Sequence, residues 1–253
     1  MKRGRTPPPE DRAAAPVGRG VLQGAFLLLE ELARAGDAGL TDLAAGTGLP
    51  KATAHRLLDQ LAALGAVERQ SGRYRIGAAV AHLARSWGTH HPLGRAAVQP
   101  LRRLSAATGA SVALAAPAAV GRRMVIVSGV PGPADEVVPH MPGLILPSGN
   151  AADVVISASR PPVAPPPEFS PAEWARRLSK VRERGVDLHY DEEPGAVTCL
   201  AVPVYAPSGR AVAAIGVCFV GHRLPSAATA DAARRAARMV GENLARLPRT
   251  RRL

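Results

Sequence analysis

Apolar residues recur at helical spacing from Val21 to Ala35, with Val21, Ala25, Leu28, Leu29 and Leu32 on one face, and Gly36 and Gly39 end the run. In the segment Leu40-Thr41-Asp42-Leu43-Ala44-Ala45-Gly46, Thr41 is placed to cap a short helix and Asp42 to sit at its positive end. Thr47-Gly48-Leu49 reads as a tight turn. Pro50 suits the first turn of a further helix that runs to about Leu64 and stops at Gly65. Val67-Glu68-Arg69 and Arg73-Tyr74-Arg75-Ile76 alternate apolar and charged positions around Gln70-Ser71-Gly72, which predicts a hairpin. A helix over Ala78–Trp87 follows and is broken by His90-His91-Pro92.

Beyond residue 92 the pattern alternates between the two periods. Helices are predicted over Leu93–Thr108, Asn150–Ala158, Pro171–Arg184 and Ala227–Leu247. Strands are predicted over Ser111–Ala116, Arg122–Val130 and Asp135–His140. Two more, Val197–Ala206 and Arg210–Val220, flank the turn Pro207-Ser208-Gly209. Residues 161–170 hold five prolines and read as a loop. Strands with helices packed on their faces predict an α/β sandwich for this half.

Composition narrows the function. Aromatics are 3% of the 253 residues, too few for base-stacking platforms, and the core must be aliphatic. The formal net charge of +12 favours polyanions, but it is spread along the chain: residues 1–92 carry +4 and residues 93–253 carry +8. A nucleic-acid reading must therefore rest on local pattern. Residues 1–18, with Pro7-Pro8-Pro9, read as a disordered basic arm; no apolar stretch follows Lys2, Arg3 and Arg5, so a signal peptide is not expected. The longest apolar run, Val112–Val120, has nine residues and contains Pro117, well short of a membrane span. Two cysteines with no CxxC or Cys/His cluster imply neither a disulfide scaffold nor zinc, and no cofactor is implied.

The helix opening at Lys51 carries the local pattern. Ala54, Leu57, Leu58, Leu61 and Leu64 share one side, and Ala52, His55, Arg56 and Asp59 occupy the other. A recognition helix needs this phase, its apolar side packed on a preceding helix and its polar first turns free for base edges. Arg56 can pair bidentately with guanine and His55 can donate to base or phosphate, while Lys51 and Thr53 suit phosphate. Arg73 and Arg75 face solvent on the hairpin, where a wing would meet backbone or minor groove.

These segments resemble the winged helix-turn-helix of IclR-family transcriptional regulators: residues 41–58, then Leu61-Ala62-Ala63-Leu64-Gly65-Ala66-Val67, then Arg73-Tyr74-Arg75-Ile76-Gly77. The likeness resumes in Asp191-Glu192-Glu193-Pro194-Gly195, Cys199-Leu200-Ala201-Val202-Pro203-Val204-Tyr205 and residues 209–215. It implies an α+β chain: a winged helix-turn-helix over 19–77, a linker helix over 78–92, and a GAF-like α/β effector-binding and oligomerisation domain over 93–253. It also implies a cytoplasmic homodimer or dimer of dimers on a pseudo-palindromic operator of double-stranded DNA. A small-molecule effector, an organic acid or aromatic metabolite, would bind in the C-terminal domain. The resemblance assigns that site to Ser148, Gly149 and Asn150, with Asp191 and Cys199. Free N–H groups at the start of the helix near Asn150 would face an anion.

The chain departs from the family pattern. Ala152-Asp153 stands where a Gly-Lys pair is usual, Gly216-Val217-Cys218-Phe219 lacks the family's Ser-x-Ser-Gly hydroxyls, and the connection from Ser159 to Pro171 is short and proline-rich. Two other readings therefore stay open. One is an orphan DNA binder whose C-terminal domain only oligomerises. The other is an enzyme with Cys199 as nucleophile beside His189 and Asp191, although no glycine-rich elbow or oxyanion hole accompanies them. Cys199 also reads simply as a small buried hydrophobe in a core strand.

Overall fold

Six leucines, at positions 28, 32, 43, 57, 58 and 61, make the N-terminal core. They come from three helices, α1 (Val21–Ala35), α2 (Leu40–Thr47) and α3 (Lys51–Ala63), in a computed structural model that describes residues 20–118, 123–161, 164–190, 197–221 and 224–248. The predicted arm and Asp191 lie outside these residues. The described chain forms two compact units that divide between Arg85 and Ser86.

In the first unit, α1 and α3 meet at Gly24, where an added Cβ would stand 2.8 Å from Leu57 Cδ1. Gly48 ends α2 in the left-handed region (φ 65°), which a side chain would strain, and so permits the short turn into α3. The cap at the start of α2 is Gly39, with no side-chain hydrogen bond; Thr41 lies inside the helix and does not cap it. A strand not predicted from the sequence, β1 (Asp37–Gly39), pairs with β3 (Arg73–Ile76), which pairs in turn with β2 (Val67–Gln70). Ser71 (φ 50°) and Gly72 (φ 78°) make the two-residue turn between β2 and β3, and Tyr74 anchors that hairpin in the core.

The linker helix α4 runs from Ala78 to His90, three residues past its predicted end, and α5 (Pro92–Thr108) starts at a proline whose missing N–H no helix needs there. In the second unit, six antiparallel strands follow the order β6-β5-β4-β9-β8-β7. Their ranges are β4 (Ser111–Pro117), β5 (Met124–Val130), β6 (Ile145–Leu146), β7 (Asp187–Tyr190), β8 (Val197–Tyr205) and β9 (Ala211–Val220). Helices α5 and α8 (Ala227–Arg246) bury Leu114, Leu200, Val202, Ile215 and Val217 on one face. Helices α6 (Ala151–Ala158) and α7 (Pro171–Arg184) cover the other face, where Ala115, Ala201 and Ala214 leave room for α6, all eight of whose residues are buried.

One predicted strand is absent. Residues 135–140 instead follow a 3-10 turn, Pro133–Glu136, because Asp135 takes local hydrogen bonds that compete with a ladder. Its carboxylate accepts from the backbone N–H groups of Gly132 (3.1 Å) and His140 (3.0 Å) and pairs with His140 Nδ1 (3.0 Å). Gly129 on β5 lets this segment cross closely, since a Cβ there would lie 1.9 Å from the His140 carbonyl oxygen.

Pro100 lies buried inside α5 and lacks the N–H that would bond the Ala96 carbonyl. Asn243 of α8 takes over that role, its Nδ2 donating to Ala96 O at 3.0 Å. Asn243→Leu should therefore cost about 1–2 kcal/mol by orphaning a half-buried carbonyl. Adding Pro100→Ala returns an N–H to the same oxygen, so the double variant should lose less than the sum of the singles. Urea unfolding of the four proteins checks this coupling.

Candidate functional site

Two surfaces hold the residues that the sequence singles out. On α3, Lys51, His55, Arg56 and Asp59 are exposed, Thr53 is half-buried, and Ala54, Leu57, Leu58 and Leu61 are buried. Leu64 departs from the expected phase: it caps the end of the helix and is 75% exposed. The first turn of α3 contains no acidic residue and Pro50 offers no side-chain cap, so its positive end is not neutralised from within the helix. His55 Nδ1 lies 3.2 Å from Asp59 Oδ2 one turn on, and Arg56 stands on the rim of a cleft shared with the start of α1.

The wing arginines are exposed but already engaged. Arg73 donates to both carboxylate oxygens of Asp37 (2.7 and 2.9 Å) and to its carbonyl oxygen (3.1 Å). These hydrogen bonds hold the Asp37 carboxyl below its ordinary range. Arg75 donates twice to Glu68 Oε2, at 2.9 and 2.7 Å. Exposed pairs of this kind are screened by solvent and add little, so a phosphate can compete for either guanidinium. Arg69, not singled out from the sequence, lies over the Tyr74 ring at 5.5 Å and adds a third cation to the hairpin.

The second surface is the turn before α6, which brings Ser148, Gly149 and Asn150 together. The structure corrects the expectation of free donors there. Asn150 caps α6, its Oδ1 accepting from the N–H groups of Ala152 (2.9 Å) and Asp153 (3.2 Å), while its Nδ2 donates to Pro147 O. Gly149 (φ 70°) gives its N–H to Asp153 Oδ2 at 3.0 Å, and the buried Asp153 also accepts from Ser157 Oγ at 3.1 Å. Ser148 Oγ donates to Glu168 Oε1 at 2.9 Å. Two carboxylates of the chain thus occupy donors that the family resemblance assigns to an effector.

Arg177 on α7 ties this turn to the sheet, and nothing in the sequence pattern marks it beyond its place on an amphipathic helix. Its guanidinium donates to Gly149 O (2.9 Å) and to Asp187 on β7 (2.6 and 3.3 Å), and packs 5.5 Å from the Phe169 ring. Burial pushes the Asp187 carboxyl above its ordinary range, with Arg177 pulling the other way. The register of β8 sets Cys199 opposite His189 on β7 and opposite Cys218 on β9. Cys199 and Cys218 are disulfide-bonded, which corrects the expectation of an unpaired cysteine in either a packing or a nucleophilic role. Among the described residues no group of three or more His, Cys, Asp or Glu is placed to hold a metal ion, and no helix is long and apolar enough to cross a membrane.

The family model of the IclR helix-turn-helix domain matches residues 21–71, and that of the bacterial transcriptional regulator IclR C-terminal domain matches residues 168–245. The chain is similar to the glycerol operon regulatory protein of Streptomyces griseus, with 30% identity over 194 residues covering 71% of this chain and 76% of that protein. Its fold is similar to that of an IclR transcriptional regulator from Alicyclobacillus acidocaldarius, with a TM-score of 0.73 at 21% identity over 88% of this chain and 98% of that one. It also resembles an IclR homologue from Microbacterium hydrocarbonoxydans complexed with 4-hydroxybenzoate, with a TM-score of 0.71 at 19% identity over 89% and 99% of the two chains.

Arg177→Met should destabilise the second unit by about 3–5 kcal/mol at neutral pH, because it leaves a buried carboxylate without its cation. The sign with pH follows from burial. The folded-state pKa of Asp187 already lies above its unfolded value and rises further in the variant. The deficit is then largest above the folded-state pKa and shrinks as pH falls through it. Thermal unfolding of wild type and variant across that range tests the direction.

Proposed function

Because the chain belongs to the IclR family of bacterial transcriptional regulators, we propose that this DNA-binding regulator reads a pseudo-palindromic operator in the cytoplasm as a homodimer or dimer of dimers. The α3 helix of each head enters a major groove. Arg56 and His55 meet base edges, Lys51 and Thr53 meet phosphate, and Arg73 and Arg75 exchange their carboxylates for the backbone beside the groove. A small molecule in the C-terminal domain shifts operator affinity by linkage. The observation that supports the reading most is the phase of α3, with His55 and Arg56 exposed opposite four buried residues.

The turn before α6 bears on the effector. The relatives do not agree on a ligand class: one is named for a glycerol operon and another was solved with 4-hydroxybenzoate. In this chain an organic acid must displace Glu168 from Ser148 and compete with Asp153 for the Gly149 N–H. A neutral hydroxylated effector, which donates to those carboxylates, fits better. The same internal satisfaction favours a second reading, an orphan regulator whose C-terminal domain serves only assembly. Calorimetry against polyols, aromatic alcohols and organic acids separates the two. Heat only from hydroxylated ligands supports the effector reading, and silence across the panel with DNA binding intact supports the orphan.

Arg56→Ala should weaken binding to a selected operator by about 1–3 kcal/mol and relax the preference at one base position. Arg73→Ala should weaken binding to all sequences about equally and reduce the salt dependence by about one counterion. Gel-shift titration of selected and scrambled duplexes at several salt concentrations measures both. Wild-type operator affinity in Arg56→Ala would remove this helix from the groove.

A further inference from the structure

Cys199 and Cys218 face each other across the β8–β9 ladder with their Cα atoms 4.3 Å apart, the spacing of a non-hydrogen-bonded antiparallel pair. Both strands are interior to the sheet, and their pairing runs from Val197↔Val220 to Tyr205↔Ala211. The ladder therefore fixes the two Cα atoms independently of any bond between the sulfurs. The dithiol and disulfide forms share one backbone, and passing between them requires no unfolding.

The two cysteines belong to one small apolar cluster but differ in exposure. Cys218 is 6% exposed beside Ala134 and Val197, whereas Cys199 packs against the same cluster and is half-buried. On the other side of Cys199 stands its cross-strand partner His189, whose Nδ1 lies 3.5 Å from the Arg177 guanidinium. Cross-strand partners leave the sheet on the same face, so the His189 imidazole stands on the same side of the sheet as the more accessible sulfur. Exchange begins at the sulfur that a small disulfide can reach, which is that of Cys199. DNA recognition as proposed above uses none of these residues.

We propose that Cys199 and Cys218 form a reversible thiol–disulfide site, with Cys199 as the exchanging sulfur and Cys218 as the resolving one. The inference rests on the regulator reading in one respect: a protein that works beside bacterial DNA meets a reducing thiol pool, where disulfides are transient and not permanent staples. The co-reactant is a low-molecular-weight disulfide. The Cys199 thiolate attacks one of its sulfurs, forming a mixed disulfide and releasing one small thiolate. The Cys218 thiolate then attacks the Cys199 sulfur, closing the protein disulfide and releasing the second small thiolate. Two electrons pass from the cysteines to the small disulfide, and the two cysteine protons end on the released thiols.

The test equilibrates the full chain with oxidised and reduced glutathione in graded ratios, quenches with iodoacetamide, and reads intact mass and peptide maps. Wild type should carry two alkylated cysteines in excess reduced glutathione and none in excess oxidised glutathione, with full return on reversing the ratio and an unchanged circular dichroism spectrum. Cys218→Ser should accumulate a glutathione adduct at Cys199, and Cys199→Ser should leave Cys218 as a thiol. A folded protein whose disulfide survives excess reduced glutathione has a permanent staple and overturns the proposal. Thiols that survive excess oxidised glutathione overturn it equally. Retention of sheared genomic DNA on a filter is measured on the same samples. Cycling without DNA retention overturns the regulator reading and leaves the site standing, and retention without cycling does the reverse.

Discussion

The central strands of the second unit, β4, β9 and β8, are covered on both faces, and that double burial governs everything built on them. Each residue is chosen by the face it reaches. Leu114, Leu200, Val202, Ile215 and Val217 fill the space under α5 and α8, while Ala115, Ala201 and Ala214 keep the opposite face shallow. A shallow face lets α6 sink until all eight of its residues are buried. Its polar groups then have no water to turn to, so Asn150 caps its start and Asp153 takes the Gly149 N–H and the Ser157 hydroxyl. The self-contained turn before α6 follows from the small side chains of the sheet beneath it.

The two candidate surfaces handle polarity in opposite ways. In the second unit the polar groups of the turn are matched within the chain: Glu168 on Ser148, Asp153 on Gly149, and Arg177 between Gly149 and Asp187. On α3 the first turn is left open, without a capping side chain or an acidic residue. The wing lies between these cases, with Arg73 and Arg75 held in exposed carboxylate forks that a phosphate can replace. A surface meant to meet a polyanion keeps its cations in reach, whereas a surface over a packed core must satisfy its own donors.

Much of this was readable in the residues because periodicity reports burial directly. The phase of Ala54, Leu57, Leu58 and Leu61 places His55 and Arg56 on the outside, and the near-continuous apolar runs of β8 and β9 around Pro207-Ser208-Gly209 are clear enough to give both strands and their turn. Leu64 departs from the phase because helical periodicity has no meaning at the cap, where α3 gives way to Gly65. Asp37–Gly39 is too short and too polar to signal a strand, and it becomes one only because β3 offers an edge. The 135–140 segment holds the β-branched pair Val137-Val138, yet Asp135 turns its hydrogen bonding inward. The pairings at the candidate effector turn were hidden for a different reason. Ser148 with Glu168, Gly149 with Arg177 and Cys199 with Cys218 are separated by 20, 28 and 19 positions. No local rule couples residues so far apart.

The join between Asn243 and the oxygen left free by Pro100 has a consequence for biosynthesis. The first helix of the second unit leaves the ribosome with a break in its own ladder, and the group that mends it is encoded nearly 150 residues later. The sheet has the same arrangement, since β4 finds its inner neighbour only when β9 has been made. This half of the protein therefore cannot close before β9 and α8 have been made. A transcript cut short before the last helix yields a product whose α5 still lacks its partner, a ready substrate for proteolysis.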